Sequence, residues 1–260
     1  RNLLVKDTVV EIDVMLKTDT PKQQVALDVP KALAGYSQGL ISGDWVFTAG
    51  EHATDFVGDT GRSEYYGPPS AIQLDARTPS ELLWYGLPIK LQTTKLLEKL
   101  ERNLETCGSS MKDVVHATVY YSHPKNYAEI DEAWQEWFPE DPPARTMIPY
   151  MGIGIRGCDP EIALIALKKD GKTKKQTITA EGVGTPVGHE PQAVKAGDPL
   201  FFSTQIAGDR NGLCAGGRRS PEYPWYGLPA RTQMNFILEN VSKICEAAGT
   251  SIENICKRQA

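Results

Sequence analysis

Two residues in this sequence have the side-chain types that carboxylate chemistry needs. Arg145 supplies a planar guanidinium, the group best suited to a two-point contact with a carboxylate. Glu161 supplies a carboxyl group that, when partly buried, titrates nearer neutrality and exchanges protons with nitrogen, carbon or water. Both lie in residues 143–167, PARTMIPYMGIGIRGCDPEIALIAL, equally spaced from Ile153 in a Gly-rich middle. An antiparallel hairpin reversing at Ile153 would set them opposite each other on one face of a sheet. A guanidinium and a carboxylate among apolar residues carry a desolvation cost, which either a structural ion pair or a binding site can explain. The local pattern leaves both readings open.

The elements that must position this pair are legible from periodicity. Residues 5–16, VKDTVVEIDVML, read as a strand rich in β-branched residues. Residues 35–50 read as two short strands turning at Ser42-Gly43-Asp44. Residues 55–88 form a long Gly/Pro-rich stretch with Tyr65, Tyr66, Trp84 and Tyr85, the pattern of an ordered lid or interface. An amphipathic helix is predicted over 88–107, with Leu96, Leu97, Leu100 and Leu104 on one face, Lys and Glu on the other, Pro88 in its first turn and Gly108 at its cap. A strand over 114–121 and a helix over 127–138 follow, the latter stopped by Pro139, Pro142 and Pro143. The order strand, strand, helix, strand, helix, strand, strand predicts an α+β layer: a mostly antiparallel sheet with two helices on one face.

Composition narrows the function classes. The chain has 260 residues, 40% of them hydrophobic, and a net charge of -5. No apolar run approaches the ~20 residues of a membrane span, so no membrane partner is expected. The acidic balance does not favour nucleic acid, and the basic run KKDGKTKK at 168–175 reads as a solvated connection. Five cysteines without CxxC spacing fit a reducing, cytoplasmic setting. The histidines His52, His116, His123 and His189 lack ligand spacing, so neither a metal nor another cofactor is expected. The first residue is Arg and no signal-peptide pattern follows it, which reads as a processed or excerpted chain.

The pattern restarts after residue 170. WYGLP occurs at 84–88 and again at 225–229, the helix that follows aligns without a gap, and SGDWVFTAGE aligns with AGDPLFFSTQ at 196–205. The second copy breaks off where its third strand should begin, while VVEIDVMLK at 9–17 resembles DPEIALIAL at 159–167 and aligns Glu11 with Glu161. The domain reading is therefore residues 1–18 as the closing strand of a unit, 21–170 as a complete unit, 171–185 as a linker and 186–260 as the N-terminal part of a second unit. Val9–Met15 is expected to pair with the sheet that holds residues 200–203, or with a neighbouring chain.

The ordered series GYSQG, the strand ending at Ala49-Gly50, CGSSMKDVV, VYYSHPKNYAEIDEAWQEWFP, PART and EIALIAL resembles the Rid family of reactive-intermediate deaminases. These are also called YjgF-like or L-PSP endoribonuclease-like proteins. The resemblance covers nearly all of residues 34–168 and, more weakly, 186–260. It implies a chorismate-mutase-like fold, trimers or pseudo-trimers of units as homo-oligomers, and ligand sites in clefts between adjacent units. It implies further that Arg145 binds the substrate carboxylate and Glu161 handles protons and water. Tyr36, Ala49, Gly50, Asp131 and Met147 then line the pocket. Ala49-Gly50-Glu51 stands where Ser-Gly-Gln is usual, Met147 where well-studied members have Cys, and Asp131 where Asn is common. In the second copy Ser203 and Gln205 restore two of these, but Glu190 replaces the tyrosine.

Three functions follow. The first is hydrolytic deamination of a small carboxylate-bearing imine or enamine, for which a fixed cation, one carboxyl group and a water-orienting donor suffice. The second is a non-enzymatic small-ligand or scaffold role. The third is ribonuclease action, disfavoured by the acidic balance and the lack of a paired histidine acid and base.

Overall fold

The computed structural model describes residues 19–26, 35–54, 72–73, 76, 87–150, 157–223 and 225–257. The strand expected over 5–16 and its pairing, Glu11, and nearly all of the aromatic stretch at 55–88 lie outside these. The described chain forms β1 (Gln23–Gln24), β2 (Gly39–Ser42), β3 (Trp45–Thr48), α1 (Pro88–Thr106), β4 (Val114–Tyr121), α2 (Tyr127–Trp137), β5 (Ala144–Pro149) and β6 (Glu161–Leu167). There follow β7 (Lys175–Ile178), β8 (Ala193–Ala196), β9 (Leu200–Phe202), the short pair β10 (Gly208–Asp209) and β11 (Gly212–Leu213), and α3 (Pro229–Ala247).

The expected hairpin turn sits between β2 and β3, with Gly43 at φ 57°, a left-handed conformation that glycine adopts without strain. The Asp44 carboxylate accepts from the backbone of Lys172 and Thr173 and from the Thr173 hydroxyl, tying this turn to the chain that leaves β6. Gly108 ends α1 in a Schellman-type cap, its N–H reaching the Glu105 carbonyl while Ser109 N–H reaches Leu104. At the other end of α1, the N–H groups of Ile89 and Lys90 donate to the Glu129 carboxylate of α2. An anion there complements the helix dipole and replaces a local cap.

The main sheet has the order β1-β2-β3-β6-β4-β5. Every pairing in it is antiparallel except β4 with β5. Leu96, Leu97, Leu100 and Leu104 of α1, with Ile130 and Trp134 of α2, pack on one face against Val46, Val119, Ile162 and Leu164. Each fully buried leucine contributes about 1.5–3 kcal/mol. This is the chorismate-mutase-like α+β layer expected from the sequence.

Three details correct the sequence reading. Residues 143–167 do not form a hairpin. The α2 crossover returns the chain to the end where β4 began, so β5 runs parallel to β4, and β6 then pairs on the other side of β4. Lys99 is not on the solvated face of α1 but buried. Part of the segment taken as a linker, Lys175–Ile178, is strand β7, paired with β8.

The second segment has its own sheet, β7-β8-β9. Its α3 resembles α1 closely: both have 19 residues and proline in the first turn, and both are followed by a short 3-10 turn. The glycines Gly197 and Gly249 repeat the left-handed conformations of Gly43 and Gly108. The residues of β8 and β9, Val194, Ala196 and Phe201, pack against Val115, Ala144, Leu167, Trp45 and Ile165 on the main sheet's helix-free face. Thus the second segment packs on part of the face that α1 and α2 leave open.

Candidate functional site

Arg145 lies on β5 beside Ala117 of β4, on the helix-covered face, and is fully buried. Its guanidinium sits over the Trp134 ring, 5.0 Å from Cζ to centroid, with Tyr127 on another side at 5.7 Å. Nη2 donates to the Asp131 carboxylate of α2 and also contacts Glu190. Nε donates to Glu190 Oε2 at 2.7 Å. Among the described residues Nη1 has no hydrogen-bond partner. Burial opposes the guanidinium charge, but Glu190 and Asp131 outweigh it and raise the Arg145 pKa. Burial also opposes charge on Asp131, and here Arg145 and the His189 N–H prevail and lower its pKa.

The backbone around Arg145 docks on the second segment. Arg145 N–H donates to Ser203 Oγ at 3.1 Å, Met147 N–H to Thr204 Oγ1 at 2.7 Å, and Thr204 N–H to the Arg145 carbonyl at 3.0 Å. Ser203 and Thr204 align with Ala49 and Gly50 of the first segment. Met147 is buried in the main core with only its backbone facing this junction.

Glu161 belongs to a different place. It opens β6 beside Tyr120, whereas Arg145 pairs with Ala117, so the two stand on opposite faces of the sheet. Two strand spacings and three residues of rise separate them, about 10 Å in each direction. The backbone of Glu51 bonds both ways with Ile162, at 3.0 and 3.1 Å, which lays Gly50 under the Glu161 side chain. A methyl group on Gly50 would collide with that carboxylate. His52 Nε2 is 3.5 Å from Glu161 Oε2. Burial lowers the His52 pKa to about 4, so this imidazole is neutral near pH 7. Burial, with Glu51 adding to it, raises the Glu161 pKa. Tyr36 is half-exposed, and burial with Glu51 and Glu161 pushes its hydroxyl up to about 12. Glu51 itself is buried and neutralised by Lys99 Nζ at 2.7 Å, with Gln38 donating to its other oxygen.

The residues singled out from sequence therefore fall into two separate groups. Tyr36, Ala49, Gly50 and Glu161 form one, Arg145, Asp131 and Met147 the other. Sequence reasoning missed His52, Lys99 and the pairing of Glu190 with Arg145. The available signals were the carboxylate at Glu51, which needs a cation, and the carboxylate at Glu190, aligned with Tyr36. An open groove lined by Trp45, Phe47, Phe201 and Asp198 lies apart from both groups, and neither Arg145 nor Glu161 lines it.

Residues 77–168 match the family model described as Endoribonuclease L-PSP. A RutC family protein of Pyrococcus horikoshii is 30% identical over 121 residues, covering 46% of this chain and 78% of that protein. The chain belongs to the L-PSP endoribonuclease family, the Rid/YjgF group. Another family member, from Pyrococcus abyssi, is 30% identical over 119 residues, 46% of this chain and 76% of its own. Among solved structures of the family, a protein from Thermotoga maritima overlays with a TM-score of 0.44 at 28% identity, over 56% of this chain and 98% of its own. RidA from a Psychrobacter species gives 0.42 at 22%, over 56% and 98%. In this L-PSP family chain the matched segment carries both β5 with Arg145 and β6 with Glu161.

Proposed function

We propose that the chain hydrolyses a small carboxylate-bearing imine or enamine, with Glu161 as the acid and base. Glu161 protonates the imine nitrogen, or the carbon of an enamine, and then takes a proton from water as its oxygen bonds to the imine carbon. Glu161 passes that proton to the amine of the amino alcohol, the C–N bond breaks as the hydroxyl gives its proton back to Glu161, ammonia leaves, and the carbonyl product remains. The observation that carries this reading is the setting of Glu161. It is partly buried, has a raised pKa, lies against a neutral His52 and rests over a glycine that keeps the approach clear.

The carboxylate-holding cation in this reading is an arginine at the Arg145 position, contributed from another unit. Arg145 already docks on Ser203 and Thr204, and the equivalent surface of the first segment, Ala49 and Gly50, lies beside Glu161. A second Arg145-bearing strand edge on that surface would bring guanidinium and carboxylate together. On this reading the chain carries one complete Rid-like unit and the N-terminal part of a second, and works as a trimer or pseudo-trimer.

The test is release of ammonia from freshly generated 2-iminoacids, followed by stopped flow above the uncatalysed rate. Wild type should accelerate it and Glu161→Gln should reduce the rate constant about 100-fold or more. Equal rates for the two proteins would end the assignment. One observation favours a second reading, a ligand-binding or scaffold role: the Arg145 guanidinium is covered and paired with two carboxylates of the chain itself. Under that reading neither protein exceeds the uncatalysed rate.

A further inference from the structure

The loop that covers Arg145 is built for that contact. Gly188 packs so closely on the Tyr127 hydroxyl, Arg145 Nη2 and Asp131 Oδ1 that a side chain there would have to displace the loop or these groups. His189 N–H donates to Asp131 Oδ1 at 2.9 Å, and His189 Nε2 lies 2.7 Å from the Phe138 carbonyl. These contacts deliver Glu190 onto the guanidinium, where its side chain is 3% exposed. At the aligned position of the first segment Tyr36 is 46% exposed.

The contact is also incomplete in a telling way. A guanidinium and a carboxylate fit best through two parallel bonds to two oxygens. Here one oxygen, Oε2, meets both Nε and Nη2, and Nη1 is left buried without a partner among the described residues. Two carboxylates, Asp131 and Glu190, face one cation, so a further anion cannot join the cluster without removing one of them. Asp131 is anchored on α2 and held by the His189 N–H, while Glu190 rides on a loop.

We propose that Glu190 is an internal carboxylate ligand of Arg145, a latch that an external small monocarboxylate must displace to bind there. The proposal rests on the small-carboxylate reading of this family site, but not on turnover. A tethered carboxylate competes at an effective concentration in the millimolar range, so the apparent affinity of the site falls by the fraction of molecules unlatched. Release of the latch frees Nε and the Nη2 hydrogen beside it, the side-on edge of the guanidinium that an incoming carboxylate can take.

Pyruvate binding to the full chain, measured by titration calorimetry, tests this. Glu190→Gln should bind pyruvate at least 10-fold more tightly than wild type, and the added change Arg145→Met should abolish the gain. Gly188→Ala, which keeps Glu190 but forces the loop off the guanidinium, should also tighten binding. A folded Glu190→Gln protein with wild-type affinity overturns the latch. If neither variant folds, hydrogen exchange on wild type decides. Protection of the His189 amide should fall as pyruvate rises to 100 mM, and unchanged protection overturns the proposal. Ammonia release is a separate readout. A latch that fails here leaves wild-type turnover untouched, and absent turnover leaves the gain in pyruvate affinity standing.

Discussion

Glu51 and Lys99 form an ion pair of 2.7 Å with both side chains buried, beneath the surface that carries Glu161. In the second segment the aligned residues are Gln205 and Asn240, so neutral amides stand where the first segment has charges. A buried pair of this kind adds little net stability, yet removing one partner strands the other charge.

The single variant Lys99→Asn should therefore lower stability by about 3–5 kcal/mol. The double variant Glu51→Gln/Lys99→Asn, which installs the second segment's residues, should recover most of that loss. Denaturant unfolding of the three proteins measures both, and a double variant no more stable than the single would refute the coupling. Lys99 also reaches the Thr54 carbonyl at 3.4 Å, a smaller contribution that the double variant forfeits.

Gly50→Ala separates site geometry from stability. The added methyl group meets the Glu161 carboxylate, the mobile end of a flexible side chain, rather than backbone. The expected outcome is a thermal midpoint within a few degrees of wild type and at least a 10-fold loss of ammonia release, because Glu161 is turned away from the substrate position. Unchanged turnover would mean that Glu161 does not act from above Gly50.

Stability should fall as the solution is acidified from about pH 6.5 to about pH 4. His52 and His116 both have pKa values lowered to about 4, chiefly by burial, from an ordinary 6.5. The unfolded chain binds their protons first, so their stabilising contribution is present above pH 6.5 and is lost as the pH falls toward 4. Each is worth at most about 3 kcal/mol over that window. Glu161 and Glu190 act in the opposite sense, because their raised values favour the protonated folded form at low pH. Urea unfolding at pH 7, 5.5 and 4.5 should show the decline, and His116→Phe, which keeps the stacking place on Phe201, should make it shallower. A His116→Phe profile as steep as that of wild type would contradict the burial of the His116 ring in neutral form.

Short-range patterns along the chain specify the local elements and the family. The leucine spacing of α1, the Gly43 turn, the β4 limits and the proline-stopped α2 were all legible, because each is a short-range pattern of apolar period or turn chemistry. The equal length of α1 and α3, and their shared proline at the first turn, followed from WYGLP in the same way. Tertiary structure alone decided which faces meet. Arg145 and Glu161 look like opposed hairpin residues in the chain, but the α2 crossover inserts β4 between β5 and β6. The register on β4 then sends the two side chains to opposite faces. Strand order depends on how crossovers close and on pairings between distant segments, and no local period encodes it. For the same reason Glu190 met Arg145 only in three dimensions, as did Lys99 and Glu51. A charge on a helix or loop looks solvated in sequence until the fold brings its counter-charge into the same dry space.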